Sequence, residues 1–457
     1  MSFTNPFFSV RACSRVRAFV LSVVLFWVSG FVGSTASVHA TDKPTAIRFG
    51  KLVDGTGRVI PNALVLIEGE RIKSVGPFAP LPPNTPVLDL TRYTAIPGLI
   101  DVHTHMTYVF DDQSKLKPVE QFLKRHPAAT LFLAQHNARK TLESGVTTVR
   151  DLGSFENLDI AMRDLIRQGA MLGPRMLVSG LPLFATDEPV KPGQPPTPGA
   201  ADGPSEVMRV ARQQLAAGAD QIKIVGSTGG YDDVTGLQTY SYEEMKAAVD
   251  VAHRAGKRCA IHSYGPQGAK DAVRAGADSI EHAVDIDDAT LAEMARRRIF
   301  YVPTIDHNRY YAENPHVYGF PAAALNNLRA FIPKNLETAR RAFRMGVPLA
   351  MGSDAVFTMF GENTRELLWF AKIGMTPAQA LATATTNAAT LLGMEKSLGT
   401  LAPGFFADLV AVEGDPMQDI SVVTNKVRWV MKGGVVVVDR TKPSSIPESR
   451  SSTLLVP

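Results

Sequence analysis

Disulfide bonds within the mature chain are excluded at the outset, because the chain has 2 cysteines in 457 residues and one of them, Cys13, falls in a segment that reads as a removable leader. Cys259 is then left alone, so an exported domain would have to be held together by a large core. A membrane-spanning run is lacking too: the apolar stretch from about Ala18 to Val32 is shorter than the roughly 20 residues a span requires. Arg11, Arg15 and Arg17 precede that stretch, and Val38-His39-Ala40 places small residues at the −3 and −1 positions of a cleavage site. Residues 1–40 are therefore expected to be a signal peptide cleaved after Ala40, with Ala36 in reserve and an uncleaved anchor as the alternative. The expected location is periplasmic or secreted. Charge of one sign is lacking as well. Loss of three arginines and no acid with the leader lowers the formal charge from +4 to +1, which leaves no basic patch or tail to argue for nucleic acid or a membrane surface.

What is present falls into two textures. Residues 41–94 read as short strands and turns (AIRFGKLVDGTG, NALVLIEGERIKSVG), and the same texture returns over 397–457 in FFADLVAVEGD and VRWVMKGGVVVV. Alternating β-branched residues with Gly-rich turns suit a small sheet, so the two ends are expected to form one composite β-sandwich. The middle, 95–396, repeats a helix-like stretch, a glycine and a short apolar strand, as in LESGVTTVRD, LAAGADQIKIVG and VRAGADSIEHA. Gly145, Gly218, Gly256, Gly276 and Gly346 fall where a helix end needs a left-handed residue. Strands are expected at about 98–103, 146–151, 175–180, 221–226, 258–263, 278–283, 300–305 and 348–353. No Gly-rich phosphate turn follows the first of them. Eight βα units therefore point to an α/β fold of the (β/α)8 TIM-barrel type rather than an open doubly wound sheet. Two stretches break the short-loop pattern, 181–206 and about 306–322; each reads either as a lid or as a surface excursion.

The segment AIPGLIDVHTH, 95–105, ends an apolar run in two histidines. Residues two apart in a strand point the same way, so His103 and His105 present two imidazoles side by side. The carboxyl ends of barrel strands meet at one face; there Lys223, His262, His282 and Asp354 would join them. Lys223 sits in the apolar strand QIKIV, where a buried ammonium is disfavoured. On its own it reads as a snorkelling side chain or half of an ion pair. Beside histidines and a carboxylate, its neutral amine could instead react with carbon dioxide to give a carbamate whose two oxygens bridge two metals, zinc being suited to the nitrogen ligands.

IPGLIDVHTH, Lys223, His262, His282 and GSDA with Asp354, followed by TPAQALATATTNAATLLG and GTLAPGFFADLVAVEGDP, resemble the amidohydrolase superfamily over essentially the whole chain after the leader. Within it the sequence is most similar to the imidazolonepropionase-related group that includes metal-dependent Xaa-Pro and Xaa-Arg dipeptidases and ochratoxin-type amide hydrolases. The resemblance implies two divalent metals, with His103, His105 and Asp354 on one, His262 and His282 on the other and carboxylated Lys223 between. It implies hydrolysis of an amide or peptide bond by hydroxide held between the metals, with Asp354 as general acid and base. Deaminases of the superfamily carry HxxE after the fifth strand, whereas this chain reads His262-Ser263-Tyr264-Gly265. Amide cleavage is therefore favoured over deamination, with cyclic amide or lactone hydrolysis sharing the same site and a non-catalytic metal-binding barrel as the remote alternative. Candidate substrate contacts are Gly230 and Tyr231 after Lys223, His136 in the helix before the second strand, and Arg309 past the seventh. His136 is better explained as a structural residue of an amphipathic helix. The expected partner is a small amide, dipeptide or N-acyl amino acid, together with a possible second copy of the chain.

Overall fold

The computed structural model describes residues 45–81, 85–111, 114, 116–186, 198–229, 234 and 236–441. The expected leader, the centre of the 181–206 stretch, Gly230 and Tyr231 lie outside the described residues. In chain order the strands are β1 (Thr45–Val53), β2 (Val59–Glu68), β3 (Arg71–Pro77), β4 (Val87–Pro97), β5 (Leu99–Thr104), β6 (Val146–Asp151), β7 (Arg175–Val178) and β8 (Leu183–Phe184). They continue as β9 (Gln221–Val225), β10 (Arg258–Ser263), β11 (Ser279–His282), β12 (Phe300–Val302), β13 (Leu409–Val412), β14 (Val427–Lys432) and β15 (Val435–Asp439).

The chain ends do share a sheet: seven strands run in the order β15-β14-β13-β4-β1-β2-β3. Its buried residues include Ile47, Phe49, Val65, Leu409, Trp429 and Met431, and the Phe49 and Trp429 rings meet edge to face at 6.4 Å. Pairing of β1 with β4 shifts register between Phe49 and Lys51. A Cβ on the intervening Gly50 would lie 2.2 Å from the Thr91 carbonyl oxygen, so only glycine lets the two backbones approach this closely.

The remaining strands are parallel, in a set β5-β6-β7 and a set β12-β11-β10-β9-β8. Helices between them start on local capping chemistry. Ser241 and Glu244 form a reciprocal capping box for the helix Tyr242–Arg254, whose Met245, Ala248, Val249 and Ala252 are buried, the 3.6-residue spacing of an inward face. All five junction glycines take positive φ, from +66° at Gly256 to +107° at Gly218. Among the described residues, no helix is long and apolar enough to cross a membrane.

Three expectations need correction. The strand expected over 300–305 stops at Val302, because Pro303 has no N–H to donate and Thr304 turns into the left-handed region at φ +51°,. The eighth strand, 348–353, is not a regular strand. It makes single bridges from Leu349 to Tyr301 and from Ala355 to Thr104, and its backbone bonds reach both β5 (Val102 N–H to Met351 O, 2.9 Å) and β12 (Tyr301 N–H to Pro348 O, 2.9 Å). Pro348 and the left-handed Asp354, φ +52°, limit its ladder. The stretch 306–322 is largely helical, as Ile305–Glu313 and Pro315–Tyr318; its apolar face, including Ile305, Tyr310 and Tyr311, is buried.

Candidate metal centre

The alternation of β5 sends Asp101, His103 and His105 to one face, and the three have different tasks. The Asp101 carboxylate accepts from Ser353 N–H (2.9 Å), Ser353 Oγ (2.5 Å) and Asn363 Nδ2 (3.0 Å). That fastens the end of β5 to the segment carrying Asp354. Burial pushes the Asp101 carboxyl up to about 6. Close approach is enforced at Gly352, where a Cβ would lie 2.7 Å from the His103 Cβ.

The imidazoles are oriented from behind. His103 Nδ1 donates to Glu281 Oε2 at 2.8 Å, His105 Nδ1 to the Gly153 carbonyl at 3.0 Å, and His282 Nδ1 lies 2.7 Å from Thr304 Oγ1. With Nδ1 of His103 and His105 committed, their Nε2 lone pairs face inward, the arrangement a metal ligand needs. Glu281 is itself held by Arg150 Nη2 (2.8 Å) and Ser279 Oγ (2.5 Å); Arg150 also donates to the Val102 carbonyl. Burial opposes ionisation of Glu281, but Arg150 and then His103 outweigh it and hold the carboxyl down at about 2. Arg150 thus keeps the Glu281 carboxylate ionised as the acceptor behind His103.

His103 Nε2 lies 3.3 Å from Lys223 Nζ on β9 and 3.4 Å from Asp354 Oδ1. His105 Nε2 lies 3.3 Å from the same oxygen. The His262 and His282 rings are 4.5 Å apart, and the His103 and His282 rings 5.0 Å. One ligand atom each from His103, His282 and Asp354 falls within 4.8 Å of the others. The sequence-based residues His103, His105, Lys223, His262, His282 and Asp354 are thus brought together.

Two observations show that this set fits a metal. His262 Nε2 is buried without a hydrogen-bond partner, a costly state for an imidazole unless a ligand meets it. Burial and the neighbouring Lys223 also push His103 down to about 4 and His262 to about 3, so both are neutral and free to coordinate. Burial pushes Lys223 down to about 8. Asp354 moves the other way: burial alone would raise it, but His307, His103 and His105 hold it well below the usual carboxylate range.

These directions give a pH prediction. In the metal-free protein the His262 imidazole is expected to stay neutral from pH 8 to pH 5, whereas an unfolded histidine is half protonated near 6.5. Its depressed value costs no stability above pH 6.5 and destabilises progressively as the pH falls toward 3, because the unfolded chain then binds the extra proton. Imidazole chemical shifts in labelled, chelator-treated protein provide the measurement; a His262 titration near 6.5 would remove this basis.

The weaker substrate candidates fall elsewhere. His136 is exposed and sits 3.1 Å from Arg139. Arg309 is committed to Asp306 (2.9 and 2.8 Å), Glu313 (2.5 Å) and Glu362 (2.8 Å), which leaves its guanidinium occupied. Sequence reasoning passed over His307, whose Nε2 lies 3.3 Å from Asp354 Oδ2. The available signal was its position a few residues past the apolar run ending at Val302. An aromatic group flanks the cluster: Tyr108 stacks on His105 at 4.6 Å, Phe357 lies 6.0 Å from both Tyr108 and Tyr318, and Tyr264 stacks on His282 at 5.0 Å.

Three imidazoles of lowered basicity, those of His103, His262 and His282, stand with His105, an amine of lowered basicity and an ionised carboxylate at the ends of parallel strands and on the segment beside them, and together they form a candidate metal site of the kind hydrolytic enzymes use. The chain belongs to the amidohydrolase family, whose model matches residues 94–437. It is 31% identical over 433 residues to an ochratoxinase of Aspergillus niger, covering 87% of this chain and 88% of that protein. It is 26% identical over 443 residues to an imidazolonepropionase of Shouchella clausii, covering 88% and 90%. Among solved structures, a Xaa-Pro dipeptidase with bound methionine in the active site superposes with a TM-score of 0.79 at 32% identity, covering 86% of this chain and 99% of that one. The protein is a hydrolase acting on carbon–nitrogen bonds.

Proposed function

We propose that the protein is an exported two-metal amidohydrolase that releases a free amino acid from a dipeptide of the Xaa-Pro or Xaa-Arg/Lys type or from an N-acyl amino acid. The observation that carries this reading is the grouping of buried His103, His282, Lys223 and Asp354 with half-buried His105 and His262, three of its four rings already oriented from behind. In the same reading the parallel strands form a closed (β/α)8 barrel over 95–396, sealed by 348–355, and 41–94 with 397–457 form a separate β-sandwich domain. The leader 1–40 directs export to the periplasm or outside the cell.

His103, His105 and Asp354 would hold one divalent ion, and His262 and His282 the other, with a carbamate on Lys223 shared between them; zinc suits these ligands. Bound divalent ions supply polarisation of the scissile carbonyl and a water acidic enough to be deprotonated near neutral pH. Asp354 accepts that proton as the water oxygen bonds to the carbonyl carbon, then delivers it to the amide nitrogen as the C–N bond breaks. The aromatic residues beside the cluster favour an apolar or aromatic side chain on the substrate, by burial of its surface.

The test is a panel of Xaa-Xaa dipeptides and N-acyl amino acids, with lactones, cyclic amides and aminopurines alongside, offered to the zinc- and bicarbonate-loaded protein. Chelator-sensitive release of free amino acids, fastest with aromatic or apolar side chains, is the expected result. Turnover confined to lactones, cyclic amides or deaminase substrates would overturn the reading, and so would two bound metals without hydrolysis of any amide.

A further inference from the structure

His307 lies at the first turn of the helix Ile305–Glu313, is 4% exposed and has no part in the ligand set above. Its two ring nitrogens both engage the same residue. Nδ1 donates to the backbone carbonyl of Asp354 at 2.8 Å, and Nε2 faces Asp354 Oδ2 at 3.3 Å; two acceptor oxygens call for an N–H on each ring nitrogen, which burial opposes and Asp354 favours. We propose that His307 is a positioning residue for Asp354, fixing both its backbone and the rotation of its carboxylate.

The need for such a support is visible in the backbone. Asp354 has φ +52°, a conformation that L side chains adopt at a cost and that persists only where neighbours over-determine it. Its N–H donates to the His103 carbonyl at 2.7 Å, and His307 holds the carbonyl on the other side. The carboxylate is similarly divided: Oδ1 faces the Nε2 atoms of His103 and His105, whereas Oδ2 faces His307. Rotating the carboxylate out of this plane would take Oδ1 off the histidine pair and Oδ2 off His307 together.

His307 is in turn held rigidly. Glu366 accepts from the N–H groups of Ile305 (2.9 Å) and Asp306 (2.8 Å) at the start of the helix, where those donors have no partner within the helix. Trp369 Nε1 donates to Asp306 at 2.8 Å, and the Tyr311 ring stands edge-on to the His307 ring at 4.5 Å. Thr304, immediately before this helix, holds Nδ1 of His282. One four-residue turn therefore steadies groups from two different parts of the ligand set. Groups that hold a ligand from behind in this way typically affect metal affinity or activity by roughly 10- to 100-fold.

The kinetic arm of the test rests on the amide-hydrolase reading; the spectroscopic arm does not. Asparagine places its amide nitrogen near the position of Nδ1 and glutamine near that of Nε2, so His307→Asn and His307→Gln separate the two bonds. With the full chain loaded with zinc, His307→Asn is expected to lower kcat by roughly 10- to 100-fold with KM and metal content close to those of the wild type, and His307→Gln to recover most of that loss. With cobalt(II) in place of zinc, the visible band is expected to shift in His307→Asn and to return in His307→Gln. Wild-type kcat and an unshifted band in His307→Asn would overturn the proposal, as would a glutamine variant no better than the asparagine one. Should His307→Asn fail to fold, His307→Gln decides alone: kcat near wild type supports the carboxylate contact, and loss of kcat in a folded, metal-loaded protein refutes it. A wild-type protein that cleaves no amide refutes the functional reading, while the cobalt band still reports on His307.

Discussion

Replacing Lys223 by alanine is expected to reduce turnover by at least roughly 10³-fold, the equivalent of about 4 kcal/mol of transition-state stabilisation. Lys223 is 3% exposed, and its amine sits 3.3 Å from the inward nitrogen of His103. An ammonium there would repel any cation held by the imidazoles. Burial lowers its basicity to about 8, so a substantial neutral fraction exists near neutral pH, and the neutral amine is the form that adds carbon dioxide. A carbamate there would reverse the sign of the charge and supply two oxygen ligands. Lys223→Met, which keeps most of the volume, separates chemistry from packing: it should fold with a melting temperature near that of the wild type yet share the loss of turnover and of bound metal. Metal content by emission spectroscopy, kcat and thermal melts provide the three readings. Normal turnover in Lys223→Ala would eliminate the carbamate bridge.

Asp354→Asn is the other large effect. The substitution is nearly isosteric and retains the backbone bonds to His103 and His307, so the fold should survive. It removes the group proposed to take the proton from the attacking water and pass it to the leaving nitrogen, a task worth roughly 10²- to 10⁴-fold. Loss of a negative charge facing four imidazoles also weakens metal binding, so kcat is to be measured at saturating zinc. Under that condition a fall in kcat with unchanged KM identifies an interaction made only in the transition state. Activity within a few-fold of the wild type would assign the proton transfers to another group.

Much of this site was readable without coordinates, for a specific reason. Histidines two apart at the end of an apolar run need only strand geometry to share a face, and glycines between helix-like and strand-like stretches need only the left-handed cap. His103, His105, Lys223, His262 and His282 all stand in or next to regular strands, where the two-residue period is reliable. Asp354 does not: its segment is irregular, held by bonds to β5 and β12, and its placement depends on them. Arg309 shows the opposite failure. A free arginine past a strand suggests a carboxylate ligand, but the acids that occupy it come from its own helix and from Glu362, 53 positions away.

The sequence by itself determined the inventory of candidate ligands, their order along the chain and the alternation of strand, helix and glycine, because each can be read from a few neighbouring residues. Only the tertiary structure decided which nitrogen of each ring faces inward and what holds Asp354. Glu281 lies 178 positions from His103, and Glu366 lies 61 from the Ile305 N–H it caps. Hydrogen bonds across such separations exist only after the strands and helices have packed, and no local period records them. His307 went unnoticed for the same reason: its role is defined by a partner 47 residues further on, in a segment whose backbone leaves the extended form.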